Sequence, residues 1–179
     1  PVYYLLGGPV RDRVRVYRWI GGDRPADVAE QAAAEQAAWL DAVKMNATGE
    51  LERLDTPAAV DAARERLGAV REATGDEFDV AADLHGRVSK PMAKQLADAL
   101  EDFDPFFLEE PLLPEHLDQL PAVASKTTAP IATGERLFHR TDFRPILEDG
   151  AVDVIQPDLS HAGGITEVKK IADMAAAYD

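Results

Sequence analysis

Short apolar runs recur six times along the chain, and each is followed by a longer mixed stretch in which apolar residues return at helical spacing. The runs read "RVRVYRWI" (13–20), "AVKMN" (42–46), "FDVAADL" (78–84), "FFLEE" (106–110), "IATGE" (131–135) and "VDVIQPD" (152–158). Their β-branched and aromatic content predicts strands. Helix starts are predicted at Asp23 with Pro25, Thr56 with Pro57, Ser89 with Pro91, Pro114, and Thr141. At such positions a side-chain oxygen satisfies free amides of the first turn, and proline has no amide to lose there. Met92, Leu96, Leu100 and Phe103 fall on one helical face, and Gly75 suits a left-handed stop after the second helix.

Repeated strand-helix units of about 20 to 40 residues predict an α/β fold with a parallel sheet, open or closed into a TIM-like barrel. No G-x-G-x-x-G follows any of the strands, which counts against the dinucleotide-binding form of the open sheet. No linker or low-complexity tract divides residues 1–179, so they read as one domain, and the sixth helix, "GGITEVKKIADMAAAYD", runs to the last of them. A closed barrel takes eight units and about 250 residues. Six units therefore predict an open sheet or an incomplete barrel.

Charge narrows the partners. The 33 acidic residues against 19 basic ones give a formal net charge of -14, which repels nucleic acid and anionic membrane surfaces alike. Neither is expected as a partner. Only six of the basic residues are lysine, and aspartate outnumbers glutamate, a balance that suits either a halophilic source or simply an acidic bacterial protein. No apolar run reaches the roughly 18 residues needed to cross a bilayer, and "PVYYLLGGPV" lacks the basic-then-apolar pattern of a signal peptide. A cytoplasmic location is expected. With no cysteine in the chain, any metal must sit on oxygen or imidazole ligands.

Asp83, Glu109 and Glu135 terminate three consecutive predicted strands, 26 residues apart at each step. In a barrel the C-terminal ends of neighbouring strands surround one mouth, where sites of this fold are built. Three hard oxygen ligands there can converge on one Mg²⁺ and leave octahedral positions for water and a bidentate substrate. The alternative is a set of helix caps or salt-bridge partners, the usual fate of an isolated acidic residue at a strand end. Asp158 ends a fourth strand, while Glu110 should turn to the opposite face and be structural. Alternation puts His85 on the side of Asp83, where an imidazole can give or take a proton near neutral pH. Lys44 and Asn46 face one way at the end of the second strand and are candidates for a polar substrate, although Lys44 reads equally well as a surface lysine. His116, His139 and His161 have weaker claims.

Five motifs then agree in order, spacing and flanking residues. "KMN" (44–46), "DLHGR" (83–87), "FFLEEP" (106–111), "TGERLF" (133–138) and "QPDLSHAGGITE" (156–167) resemble the enolase superfamily, mandelate racemase subgroup, and within it the D-galactonate dehydratases. The resemblance extends over essentially all 179 residues, including "LLGGPVRDRVRVYRWIGGDRPADV" near the start. It implies a modified (β/α)₇β barrel with an N-terminal capping domain, and one Mg²⁺ held by Asp83, Glu109 and Glu135. It also implies loss of a proton beside a carboxylate, with the metal stabilising the resulting enediolate. His85 would be the general acid that protonates the departing C3 hydroxyl, Asp158 the aspartate of a His-Asp dyad, and Lys44, Asn46 and Arg136 would bind substrate. The base of that dyad belongs to a seventh strand that is not in this sequence, which implies an internal piece of a longer enzyme, inactive alone.

The implied activity is a lyase, a dehydratase that turns a sugar acid such as D-galactonate or D-gluconate into a 2-keto-3-deoxy acid, working as a homo-oligomer. Asn46 stands where racemases and cycloisomerases of this superfamily carry the second lysine of a K-x-K pair. Dehydration is thereby favoured over the racemase, epimerase and cycloisomerase alternatives. A non-catalytic barrel module that keeps the carboxylates is the reading from a different class.

Overall fold

The computed structural model describes residues 1–178. Six strands lie side by side in chain order, all parallel: β1 (Arg18–Ile20), β2 (Ala42–Asn46), β3 (Asp79–Asp83), β4 (Leu108–Glu109), β5 (Ile131–Thr133) and β6 (Val154–Ile155). A parallel neighbour can be reached only by a crossover. Here each crossover is helical: α1 (Pro25–Ala37), α2 (Pro57–Thr74), α3 (Lys90–Leu100), the short α4 (Leu120–Ala124) and α5 (Arg140–Glu148), with α6 (Ile165–Ala175) following β6. Among the described residues β1 and β6 are the two open edges of the sheet. The six predicted units are thus all present, in the order and direction of a barrel wall.

The strands are shorter than the apolar runs that predict them. The run 13–20 pairs only over Arg18–Ile20, and β6 keeps two residues of the seven in 152–158. Ladder pairing needs a neighbour on at least one side, and residues 13–17 lie exposed ahead of β1 while 156–158 are half-buried or exposed past β6. Glu135 therefore lies two residues past β5 and Asp158 three past β6, whereas Asp83 and Glu109 do end their strands.

Alternation sorts the strand residues between two faces. Val43, Met45, Val80, Ala82, Leu108 and Ile131 join the main core with Val28 and Ala32 of α1, Leu67 and Val70 of α2, and Leu96 and Leu100 of α3. Ala81, Phe107 and Ala132 form a separate inner cluster against Val154. These inner residues are small except for Phe107, and they floor the space in which the polar residues stand.

Capping follows the sequence only in part. Thr56 and Ser89 occupy the N-cap positions of α2 and α3, but neither side chain caps its helix; the Ser89 hydroxyl donates instead to the carbonyl of Arg53. The working caps are carboxylates inside the first turn. Asp27 accepts the Arg24 amide at 3.1 Å, and Asp142 accepts the amides of Phe138 and His139 at 3.0 and 2.9 Å. The N-cap residues of α1 and α5 are consequently Arg24 and His139, one residue after the expected Asp23 and two before the expected Thr141. Gly75 does stop α2 with a positive φ of 78°, but its ψ of -179° is not that of the expected left-handed turn, and Phe103 leaves the α3 face for a following 3₁₀ turn (Glu101–Phe103).

Candidate active site

Strand register builds one polar row. Asn46 pairs with Asp83, and Asp83 with Glu109, so three polar side chains stand level across the carboxyl ends of β2, β3 and β4. Both carboxylates are almost fully buried, Asp83 at 2% exposure and Glu109 at 1%. Burying an ionised carboxylate is costly unless it is paired, and the pair shares a single ammonium. Lys44 Nζ lies 2.6 Å from Glu109 Oε1 and 3.3 Å from Asp83 Oδ2. Burial works against the charge of Lys44, but its hydrogen bond to Glu109 and the charges of Glu109 and Asp83 outweigh that and raise its pKa. The ring of Tyr17 lies 5.9 Å from the same ammonium and edge-on to Phe107. Lys44 is therefore not a surface lysine.

His85 reaches Asp83 by a different route from the alternation that predicts it. It lies off the strand in a left-handed turn, φ 52°, which is stitched to the end of β4 by the Leu84 amide donating to Glu109 O at 2.9 Å and the Gly86 amide to Glu110 O at 2.6 Å. Asp83 Oδ1 accepts the His85 amide at 2.8 Å and stands 3.1 Å from His85 Nδ1. Imidazole and carboxylate are thus held together by a turn that a bulky residue adopts only under tertiary constraint.

A second group adjoins this one. Glu110 also has a positive φ, 43°, and is buried beside Arg136, whose Nη2 lies 3.0 Å from Glu110 Oε2 and donates to the His85 carbonyl at 2.6 Å. Burial, then the nearby charge of Glu135, push the Glu110 carboxyl up to about 7 despite Arg136. Glu110 does not turn away from the other acids, because the left-handed residue breaks the alternation that would send it there. Glu135 is half exposed and 3.7 Å from Arg136 Nε, and its charge acts on Glu110. Arg136 spends its guanidinium on these protein partners. Gly134 makes the approach possible: its φ is 137°, and a Cβ there would stand 2.9 Å from both the Gln156 amide nitrogen and a Phe143 ring carbon.

Asp158 stands apart. It is exposed, and its Oδ1 accepts the amides of Ser160 and His161 at 2.7 and 2.8 Å. The His161 amide holds its carboxyl below the ordinary range. Gln156 takes the place near Glu109 instead, donating from Nε2 to Glu109 Oε2 at 3.0 Å. The sequence signal for Gln156 is alternation from Val154, which packs on the inner cluster.

Among the described residues no three His, Asp or Glu side chains stand close enough together to hold a metal. The donor chemistry nevertheless fits a hard cation. Asp83 and Glu109 offer hard oxygen donors already gathered around one positive charge. Asn46 Oδ1 and Gln156 Oε1 are buried acceptors with no hydrogen-bond partner among the described residues. Four carboxylates, Asp83, Glu109, Glu110 and Glu135, face only two permanent cations, Lys44 and Arg136. The mouth is short of positive charge and of donors.

The chain matches the family "Enolase C-terminal domain-like" over residues 27–179. It is 51% identical over 179 residues to a D-galactonate dehydratase of Variovorax paradoxus (strain S110), covering 100% of this chain and 47% of that protein. The chain thus spans about half the length of the curated relatives it matches. Among solved structures, a member of the enolase superfamily from Salmonella Typhimurium superposes with a TM-score of 0.94 at 33% identity, covering 100% of this chain and 52% of the other. An enolase from Agrobacterium radiobacter, bound to Na and L-malate, superposes with a TM-score of 0.89 at 36% identity over 99% of this chain and 46% of its own. No helix among the described residues is long and apolar enough to cross a membrane. A parallel sheet in barrel order, with its carboxylates at the strand ends, and a family match over most of its length agree, and the chain belongs to the enolase C-terminal domain-like family.

Proposed function

We propose that the full-length protein containing this chain is a Mg²⁺-dependent sugar-acid dehydratase, a hydro-lyase that converts an aldonate such as D-galactonate or D-gluconate into a 2-keto-3-deoxy acid. The observation that carries the reading is the buried Asp83–Glu109 pair around one ammonium, with His85 against the same carboxylate. The relatives named D-galactonate dehydratase, at 50 to 53% identity, support the substrate class. So does L-malate in the Agrobacterium radiobacter structure, since malate and aldonates share a carboxylate with an adjacent hydroxyl.

Asp83 and Glu109 would hold the cation, with Glu135 joining them by turning its half-exposed carboxylate away from Glu110. When bound, the cation supplies a Lewis acid that accepts charge from the substrate carboxylate as the neighbouring proton leaves. Lys44 adds a fixed positive charge in the same mouth, where a low dielectric magnifies its effect. Asp83 meets His85 at Nδ1, which leaves Nε2 to deliver a proton to the departing C3 hydroxyl. The open acceptor on Asn46 suits a substrate hydroxyl. Arg136, fixed by Glu110, holds the His85 turn and the substrate side of the mouth. Asp158 would orient a histidine base from outside the described residues by accepting one of its ring protons.

The test is turnover of the purified full-length gene product on a panel of aldonates with Mg²⁺. A new keto acid, lost with His85→Asn, is the expected result. Exchange of the α-proton without water loss would point to a racemase instead, and neither reaction on any sugar acid would remove the dehydratase reading.

A further inference from the structure

The turn after β1 is held more firmly than an exposed loop requires. The Gly21 amide donates to Gln31 Oε1 at 3.3 Å, and its carbonyl accepts from the Gln31 side-chain amide. Arg66 of α2 donates to the carbonyls of Gly22, Asp23 and Asn46 at 2.7, 2.8 and 3.3 Å. These bonds tie the turn to α1, to α2 and to the end of β2, the strand that carries Lys44 and Asn46.

Trp19 is the side chain this frame presents. It is in register with Lys44, and its neighbour Ile20 is buried in the core between sheet and helices. Alternation therefore turns Trp19 to the inner face, the face of Lys44. The indole leans forward along the strand: a Cβ on Gly21 would lie 2.7 Å from Cη2 and 2.9 Å from Cζ3 of Trp19. It thus covers Gly21 and points toward the carboxyl ends where Asp83 and Glu109 stand, with 53% of the residue exposed. The three atoms nearest that added Cβ all belong to the Trp19 ring, so a methyl there meets the indole first.

We propose that Trp19 is a substrate-binding residue of the sugar-acid site, the apolar wall against which the C–H face of the substrate chain lies; this rests on the dehydratase reading. A polyhydroxylated acid needs both kinds of surface. Lys44, Asn46 and His85 supply the polar one, and an aromatic face with a single N–H donor supplies the other. Gly21 is the residue that leaves room for the ring.

The test uses the full-length protein labelled with 5-fluorotryptophan, with the Trp19 fluorine resonance assigned by its loss in Trp19→Phe. D-galactonate and D-gluconate are titrated in the presence of Mg²⁺, in a His85→Asn background to suppress turnover. The Trp19 resonance is expected to shift with saturation, while that of Trp39, 96% exposed beyond α1, stays still. In the active enzyme Trp19→Ala and Gly21→Ala should raise KM by about tenfold and about fivefold with kcat within about threefold, and Trp39→Phe should change neither. A melting temperature unchanged in Gly21→Ala separates ring displacement from unfolding. A sugar acid that is bound and dehydrated while the Trp19 resonance stays fixed and KM is unchanged overturns the role of Trp19 and leaves the dehydratase intact. Failure to bind or convert any sugar acid removes both.

Discussion

The carboxyl ends of β3 and β4 and the turn after β6 each carry aspartate or glutamate at the close of an apolar run, and the fold treats the two places in opposite ways. Asp83 and Glu109 are buried and take their partners from elsewhere: Lys44 from β2, Gln156 from beyond β6, His85 from the next turn. Asp158 is exposed and satisfied by Ser160 and His161 of its own turn. A locally satisfied carboxylate is ordinary turn chemistry, available at any loop. A buried pair gathered around one cation carries a desolvation cost that a cap has no reason to incur. The difference is the reason for proposing the cation site at β3 and β4, and for proposing that Asp158 serves a partner outside the described residues.

The largest expected effect comes from removing one charge of the pair. Glu109→Gln keeps the shape but removes one of the negative charges that face the cation, and turnover of the full-length enzyme should fall by at least about 100-fold, measured at saturating Mg²⁺. Asp158→Asn should also lower kcat by at least about 100-fold if it orients the base, yet leave Mg²⁺ affinity unchanged. A matching loss of metal affinity in both variants would erase the contrast. Lys44→Met leaves two buried carboxylates without their ammonium and should cost about 3 kcal/mol in chemical denaturation. Added Mg²⁺ should restore most of that loss, because a divalent ion can take over the same oxygens.

The smallest effect is a titration. The Asp158 carboxyl is held below its ordinary 3.8, chiefly by the His161 amide. Its contribution to the turn is full above that ordinary value and fades as pH falls through the lower folded one. Amide resonances of Ser160 and His161 should therefore titrate together below the range of a free aspartate, and not at all in Asp158→Asn.

Six strand-helix units and the parallel order were legible because each apolar run is short and every helix start but that of α6 carries proline or an acidic cap. The strand ends were less so. Ladder pairing stops before the strand-like sequence does, so Glu135 and Asp158 fall in turns while the sequence runs on as if in strands. The nearness of His85 to Asp83 was foreseen from alternation but is produced by a left-handed turn. The place of Glu110 among the acids was missed for the same reason: one residue at positive φ resets the alternation on which the reading depends. Lys44 could not be told from a surface lysine, since its partners come 39 and 65 positions later in the chain. Only the fold brings them to it.

Binding of Mn²⁺, a paramagnetic substitute for Mg²⁺, to the full-length protein tests the central claim most directly. The account predicts one tightly bound ion per chain by electron paramagnetic resonance, displaced by Mg²⁺, lost in Asp83→Asn and in Glu109→Gln, and kept in Asp158→Asn. An ion bound equally well without the carboxylates of Asp83 and Glu109 would contradict it.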